Sequence, residues 1–569
     1  MEFPDVKKTD GSFPSFITVL FVFSALCSGL FYEWSACLIS VLLLAALMRR
    51  ILQNGAIMLP CPVALLATAS VPVMFLLSEF WAVDRGMTVY GFFKTLPLPL
   101  FLLCIHQEKG CVRERLLSWL PDIGTGMMLI SAAFSRIPSL TSFFSVNHRL
   151  AGFFQYPNAF AAFLLCCMAI LLFRENAGKY DVVKLLLLFL GILLSGSRTA
   201  LFLALCLGAV CLFRVKKKKI HFLMTGSMVL LLAAGIALAC LSGNFASFGR
   251  ILTASVQSST LLGRILYAQD ALPVILKHPL GLGYLGYRFL QGSFQTGVYS
   301  VTYIHDELLQ LMLDAGWIPA ILWVYLIGRS FFSCRITDQR RALMLVLCIH
   351  SLFDFDFQFT FLGFVLILAV DTDPGTVHTI SKKALWSAVA AGTGLVCIYF
   401  GMAAGFYSLN RPEYALRLYP FHTLALMDEL VEEGDTDRME ECADRILSLN
   451  ESVSLAHSAK ARAAFSHGAV KRMMEHKELA LSLAPYSLDE YLDYFDMLEY
   501  CADLYWRSGD IRSAFYCAER MQTIPEMMAA VKEKTSGLGR KIQDKPMLDL
   551  PEEYWKRLER TTARFGLQK

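Results

Sequence analysis

The sequence predicts an all-α, polytopic membrane protein of about 12–13 spans that ends in a helical-repeat domain. Three observations predict it. The 569 residues are 56% hydrophobic and only 18% charged, with a mean hydropathy of +0.50, too apolar for a soluble globular chain of this length. Apolar runs near the ~20 residues that a spanning helix needs recur as far as Tyr407. From about Asn410 those runs stop and charge rises.

In order, spans fall near 16–32, 35–48, 62–80, 89–105, 116–134, 151–173, 182–195, 199–213, 220–242, 305–332, 341–353, 358–370 and 384–407. Lys7 and Lys8 ahead of Phe16 resemble the start of a signal peptide. No small-residue cleavage site follows and another span comes at once, so a retained first helix is expected.

Basic clusters orient the spans by the positive-inside rule. Lys7/Lys8, Arg49/Arg50, Lys109 with Arg113 and Arg115, Arg174 with Lys179 and Lys184, Arg214 to Lys219, Arg335 with Arg340/Arg341, and Lys382/Lys383 fall at alternate turns of the chain. They form one cytoplasmic set, with the N-terminus among them. The outer face then carries Glu79 to Arg85, Ser135 to Arg149, Ser195 to Arg198, the loop 242–304, Asp354 to Gln358 and the C-terminal part. A net charge of +4 divided among such clusters suits topology signals and excludes nucleic acid as an expected partner.

Two domains follow: a membrane domain, 1–408, with the long external loop 242–304, and a soluble domain, 409–569. A loop of that length usually has a function. Within it, Leu261 to Leu276 has apolar residues at helical spacing, interrupted by Arg264 and Asp270. This is the pattern of an amphipathic helix along a membrane surface, and Pro279-Leu-Gly-Leu-Gly283 ends it. In the soluble part ALRLYP (Ala415 to Pro420), DRILSLN (Asp444 to Asn450), ALSLAP (Ala480 to Pro485) and AERMQTIP (Ala518 to Pro525) recur at roughly the 34-residue spacing of TPR units. Gly434-Asp435 and Gly509-Asp510 supply turns. Such arrays offer a surface to a protein partner; an irregular helical cap without a ligand is the plainer reading.

The 16 cysteines lie mostly inside apolar runs, with no CxxC pair and no Cys/His set at zinc spacing. No metal or cofactor is expected. Walker A, HExxH and GxSxG motifs are absent, which removes support for ATP-driven transport, zinc proteolysis and serine hydrolysis.

Four outward-facing residues remain. Arg149 ends a loop before a span, Arg198 sits in the tight turn Ser195-Gly-Ser-Arg198, and Arg264 lies on the surface helix. The guanidinium is always charged, and its planar fork of donors suits phosphate oxygens. Taken singly, each arginine reads equally as an interfacial anchor. An imidazole is able to take a proton from an attacking hydroxyl, which makes His305 a candidate base. Asp306 and Glu307 after it complement a helix N-terminus, so capping is the alternative reading of that cluster.

Five segments in order carry a family resemblance: SEFWAVDRG; NHRLAGFFQYPNAFAAFL (Asn147 to Leu164); LSGSRTALFLAL (Leu194 to Leu205); GRILYAQDALPVILKHPLGLGY (Gly263 to Tyr284); and IHDELLQLMLDAGW (Ile304 to Trp317). Together they resemble the O-antigen ligase and polymerase-related membrane glycosyltransferases over roughly Ser78 to Trp317. The resemblance implies transfer of a glycan from an undecaprenyl-diphosphate-linked donor to a hydroxyl of a glycan, lipid or protein acceptor. Arg198 and Arg264 would grip the diphosphate, Arg149 would be a further substrate contact, and His305 would orient or deprotonate the acceptor, supported by Asp306 and Glu307. Many relatives have His-Asn-Glu where this chain has His305-Asp306-Glu307, which puts an added charge beside the histidine. The alternatives are a flippase or transporter of lipid-linked glycans, which would place charge at mid-membrane depth, a protein O-oligosaccharyltransferase, and a binding scaffold that acts through its repeats.

Overall fold

The computed structural model describes residues 16–108, 112–214, 218–242, 259–542 and 548–567. Lys7/Lys8, Lys109, residues 215–217 of the basic run and residues 243–258 of the long loop 242–304 lie outside the described residues. The architecture is α-helical, with two two-stranded pairings as its only described sheets. Four described helices are long and apolar enough to cross a membrane: Glu33–Asn54, Arg85–Gln107, Val112–Phe134 and Lys383–Ser408. Shorter apolar helices include Pro62–Ser78, Pro157–Leu172, Arg198–Phe213 and Trp317–Phe331.

Each expected span meets a helix, with an interruption at Leu96 in the run 89–105 and one larger correction. The run 305–332 is two helices, Glu307–Ala315 and Trp317–Phe331, parted at Gly316. Gly316 has φ +85°, and a Cβ there would stand 2.6 Å from the Leu280 carbonyl carbon, so only glycine fits where the two backbones meet. The first of the two helices also buries Glu307, Gln310 and Asp314. These are polar groups that an apolar-run criterion treats as part of a span but that the fold uses as internal hydrogen-bonding groups.

Contacts divide the chain into two units. One comprises Met1–Pro72, Phe93–Ala254 and Ile321–Gly401. At its centre is Pro157–Leu172, in which Phe160, Phe163, Leu164, Cys166 and Cys167 are all fully enclosed. A helix apolar on every side belongs in a core rather than at a surface, and Lys179–Ser195, Asp338–Ser351, Val112–Phe134 and Arg198–Arg214 surround it. Gly124 and Gly191 let neighbours approach: an added Cβ would come within 2.6 Å of Cys167 and Leu164 respectively. Arg340, from a basic cluster read as a topology signal, is buried and donates to the carbonyls of Ala369 (3.1 Å) and Val370 (2.5 Å). It thereby satisfies the C-terminal end of Thr360–Ala369.

The other unit comprises Val73–Phe92, Ser255–Ala320 and Met402–Lys569. Its helices Pro412–Leu418, Thr423–Glu432, Thr436–Leu449, Ser454–Ser466, Val470–Leu483, Leu488–Ser508, Ile511–Lys534 and Glu552–Phe565 each pack on the next. Tyr491, Tyr494, Phe495, Leu498, Met521 and Ile524 form one of its cores. Both Gly-Asp turns work through capping: Asp435 accepts from the Arg438 N–H (3.0 Å) and Asp510 from the Ser513 N–H (3.1 Å). Three of the recurrent segments close a helix before a turn. The fourth does not, because Pro525 lies inside Ile511–Lys534.

Asp84, from the segment SEFWAVDRG, ties this unit together. Its side chain is fully buried and accepts from the Met87 N–H (2.7 Å), the Thr423 hydroxyl (2.8 Å) and Asn450 Nδ2 (2.9 Å). One carboxyl thus caps a helix start and holds two C-terminal helices. Burial pushes its pKa up, while these hydrogen bonds pull it down. Asp84→Ala is expected to destabilise the protein by about 2–4 kcal/mol, since it leaves Thr423 and Asn450 buried without their acceptor. A thermal melt of the solubilised full chain measures it.

Candidate active site

In the first unit, the turn bearing Arg198 is set by a helix end. Lys179–Ser195 stops at Gly196, φ +62°, the left-handed cap that glycine adopts without cost, and Arg198 opens the next helix, Arg198–Arg214. Arg149 stands on a small hairpin in which Ser145–Val146 pairs antiparallel with Arg149–Leu150. Asn147 and His148 between the strands both have positive φ, as a two-residue type I′ turn requires.

Arg149 Nε donates to the Ser195 carbonyl (2.6 Å) and its Nη2 to Asn158 Oδ1 (2.5 Å). Asn158 Nδ2 donates in turn to Asp354 Oδ2 (2.6 Å), and the Tyr156 hydroxyl donates to Asp354 Oδ1 (2.9 Å). Arg149 and the Arg198 turn are therefore brought together. Two arms of the Arg149 fork are engaged with protein acceptors, so this residue braces the turn. Asn158 and Asp354 form a link between distant parts of the chain. Asp354 is 196 residues from Asn158, and no local pattern reports a contact that distant.

In the second unit, Arg264 and Tyr267 are one turn apart on the helix Ser259–Lys277 and so share a face. The Tyr267 ring lies 6.4 Å from the His305 ring and 4.6 Å from the Tyr299 ring, centre to centre. Tyr299 donates to Asp270 Oδ2 (3.0 Å), which also accepts from the Thr296 N–H (2.8 Å); the Thr296 hydroxyl donates to Asp270 Oδ1 (2.7 Å). Asp270, the acidic break in the amphipathic pattern, is thus a buried anchor for residues 296–299.

His305 has φ +60°, a left-handed conformation uncommon outside glycine. Its neighbours hold it there. The Ile304 N–H donates to Gln310 Oε1 (2.9 Å), Gln310 Nε2 donates to Asp314 Oδ2 (2.8 Å), and the Gln310 N–H donates to the Asp306 carbonyl (2.8 Å). Asp306 caps Glu307–Ala315, its Oδ1 accepting from the Leu309 N–H (3.0 Å). At the far end of that helix, the N–H groups of Leu282 and Gly283 donate to the carbonyls of Leu313 (2.6 Å) and Asp314 (3.0 Å). The break Pro279 to Gly283 is therefore the second clamp on the His305 helix. Arg264, Tyr267 and His305 are brought to one part of this unit.

The capping geometry bears on the His-Asp-Glu departure, because Asn and Asp cap about equally well. Burial raises the Asp306 pKa, against the pull of the Leu309 and Leu308 N–H groups. The stability tied to that raised value is fully present below the ordinary carboxylate range and is lost as pH rises through the raised pKa. Asp306→Asn should keep the cap and flatten this pH dependence, whereas Asp306→Ala should cost about 1 kcal/mol. Melting curves recorded across the acidic range separate the two outcomes.

Residues 183–324 match the model of the O-antigen ligase family. That stretch, which is similar to these ligases, holds Arg198, Arg264, His305, Asp306 and Glu307. Arg149 and the segment SEFWAVDRG precede it, and the C-terminal helices follow it. No curated protein matches the chain. At the level of the O-antigen ligase family, the function is of the ligase type, in a membrane and on lipid-linked glycan.

Proposed function

We propose that the protein transfers a glycan from a polyprenyl-diphosphate carrier to an acceptor hydroxyl on the outer face of the cell membrane. On this reading Arg198 and Arg264 bind the diphosphate, Arg149 supports the Arg198 turn, and His305 receives or orients the acceptor proton. The N-terminus is cytoplasmic and the C-terminal helices, which we read as TPR-like, are external.

The observation that carries the reading is His305. It is held in a left-handed backbone by Gln310 and the Asp306 cap, beside Tyr267, a residue one helical turn from Arg264, within the matched stretch. A left-handed non-glycine residue fixed from both sides is a common device for presenting a functional side chain. Diphosphate is a good leaving group, so charge stabilisation by arginine is the larger requirement and a single base suffices. Displacement at the sugar C1 inverts that centre without a covalent carboxylate intermediate.

Analysis of surface polysaccharide and lipid-linked intermediates in a deletion strain tests this. Long lipid-linked chains left unattached indicate a ligase, and single lipid-linked repeat units without long chains indicate a polymerase. An unchanged glycan profile would sink the assignment.

A further inference from the structure

We propose that a cavity between the external-loop helix Gly286–Phe294 and the C-terminal helices binds saccharide units of the acceptor, behind the hydroxyl that reacts at His305. The proposal rests on the glycan-transfer reading and adds to it the site that holds the acceptor. The cavity encloses about 730 Å3, within the ~300–1,000 Å3 usual for a small-molecule site. Its two walls are residues 288–301 with Tyr267, and residues 452–455 and 483–487 with Met427 and Ile542.

The walls are built to stay together. A Cβ on Gly292 would fall 1.7 Å from the Leu483 carbonyl oxygen, a backbone approach that only glycine permits. The Ser536 N–H donates to the Thr296 carbonyl (2.8 Å), and Asp270 fixes Thr296 from the other side.

The lining selects the ligand class. Among the described lining residues none is acidic, and Arg288 is their one cation. A diphosphate calls for more than one such group. A lipid chain would have no use for Ser452, Ser454, Ser487 and Gln295, which also line it. The hydroxyls of Tyr299 and Tyr486 are engaged, with Asp270 (3.0 Å) and Thr535 (3.0 Å). These tyrosines therefore present mainly ring surface. Aromatic faces beside neutral hydrogen-bonding groups suit a pyranose, which has an apolar C–H face and a rim of hydroxyls. Tyr267 joins this cavity to the reaction: its ring lines the wall and lies 6.4 Å from the His305 ring. A saccharide seated in the cavity leads toward His305.

The test uses the full chain in nanodiscs and, as probe, the oligosaccharides that mild acid releases from the surface glycan of the producing cells, which carry the acceptor saccharide. Ser487→Trp fills the cavity without removing a side-chain cap, because Ser487 makes none; Arg288→Ala removes its cation. Both are expected to raise the probe's Kd about tenfold or more, and to raise the acceptor KM similarly with kcat within about twofold. Tyr486→Ala checks the aromatic wall, and melting temperatures report whether each variant is folded. Unchanged binding in folded Ser487→Trp and Arg288→Ala, or no binding to the parent protein, would overturn the proposal. His305→Ala should bind the probe normally and fail to transfer. Transfer retained in that variant would remove the role given to His305, absence of transfer by the parent protein would overturn the transferase reading, and both would leave the binding result standing.

Discussion

Replacing His305 by alanine is expected to lower glycan transfer by about 10²- to 10⁴-fold, the range for loss of a positioned general base. The full effect should fall on kcat, since a proton acceptor acts in the transition state and contributes little to donor binding. Alanine also disturbs a left-handed backbone, so the substitution alone confounds chemistry with strain. Asparagine separates them: it tolerates φ near +60° almost as well as glycine does but accepts no proton at neutral pH. His305→Asn should melt with the parent protein and be as inactive as His305→Ala. Activity restored by asparagine would assign His305 a purely conformational role.

Much of the helical architecture was legible because spanning helices have a strong one-dimensional signal: length, hydropathy and flanking charge. The exception at Gly316 is physical. Hydropathy counts side chains, whereas the break arises from the close approach of Leu280 to the Gly316 backbone, a contact set by a loop 36 residues upstream. The helical positions of the candidate site residues were partly legible for a related reason. Arg198 and His305 sit at helix entrances, where local pattern is informative. Their supports are not local: Asp354 reaches Asn158 and Asp84 reaches Asn450 across hundreds of residues. Asp306 shows both sides. Its cap follows from sequence position, whereas its raised pKa depends on how deeply the fold buries it. The cavity lined by Arg288 and Tyr486 had no sequence signal at all, because its walls come from segments that are individually unremarkable.

The second large effect is expected at the arginines. Arg198→Ala and Arg264→Ala should each lower kcat about 10²- to 10³-fold, comparable to removing one donor from a site that stabilises developing charge. Lysine should recover little of this, since an ammonium lacks the planar fork that meets two phosphate oxygens at once. Arg149→Ala should behave differently. Its Nε and Nη2 hold the Ser195 carbonyl and Asn158, so it should lower the melting temperature as well as the rate, with a stability cost of about 1–3 kcal/mol. Arg198→Lys and Arg264→Lys should leave melting unchanged. If both arginines act on one leaving group, the Arg198→Ala/Arg264→Ala double variant should lose less than the product of the single losses. Steady-state kinetics on the parent, the two single alanine variants and the double variant measures that coupling. Additive effects would mean independent roles, and full activity in both single variants would remove the diphosphate assignment.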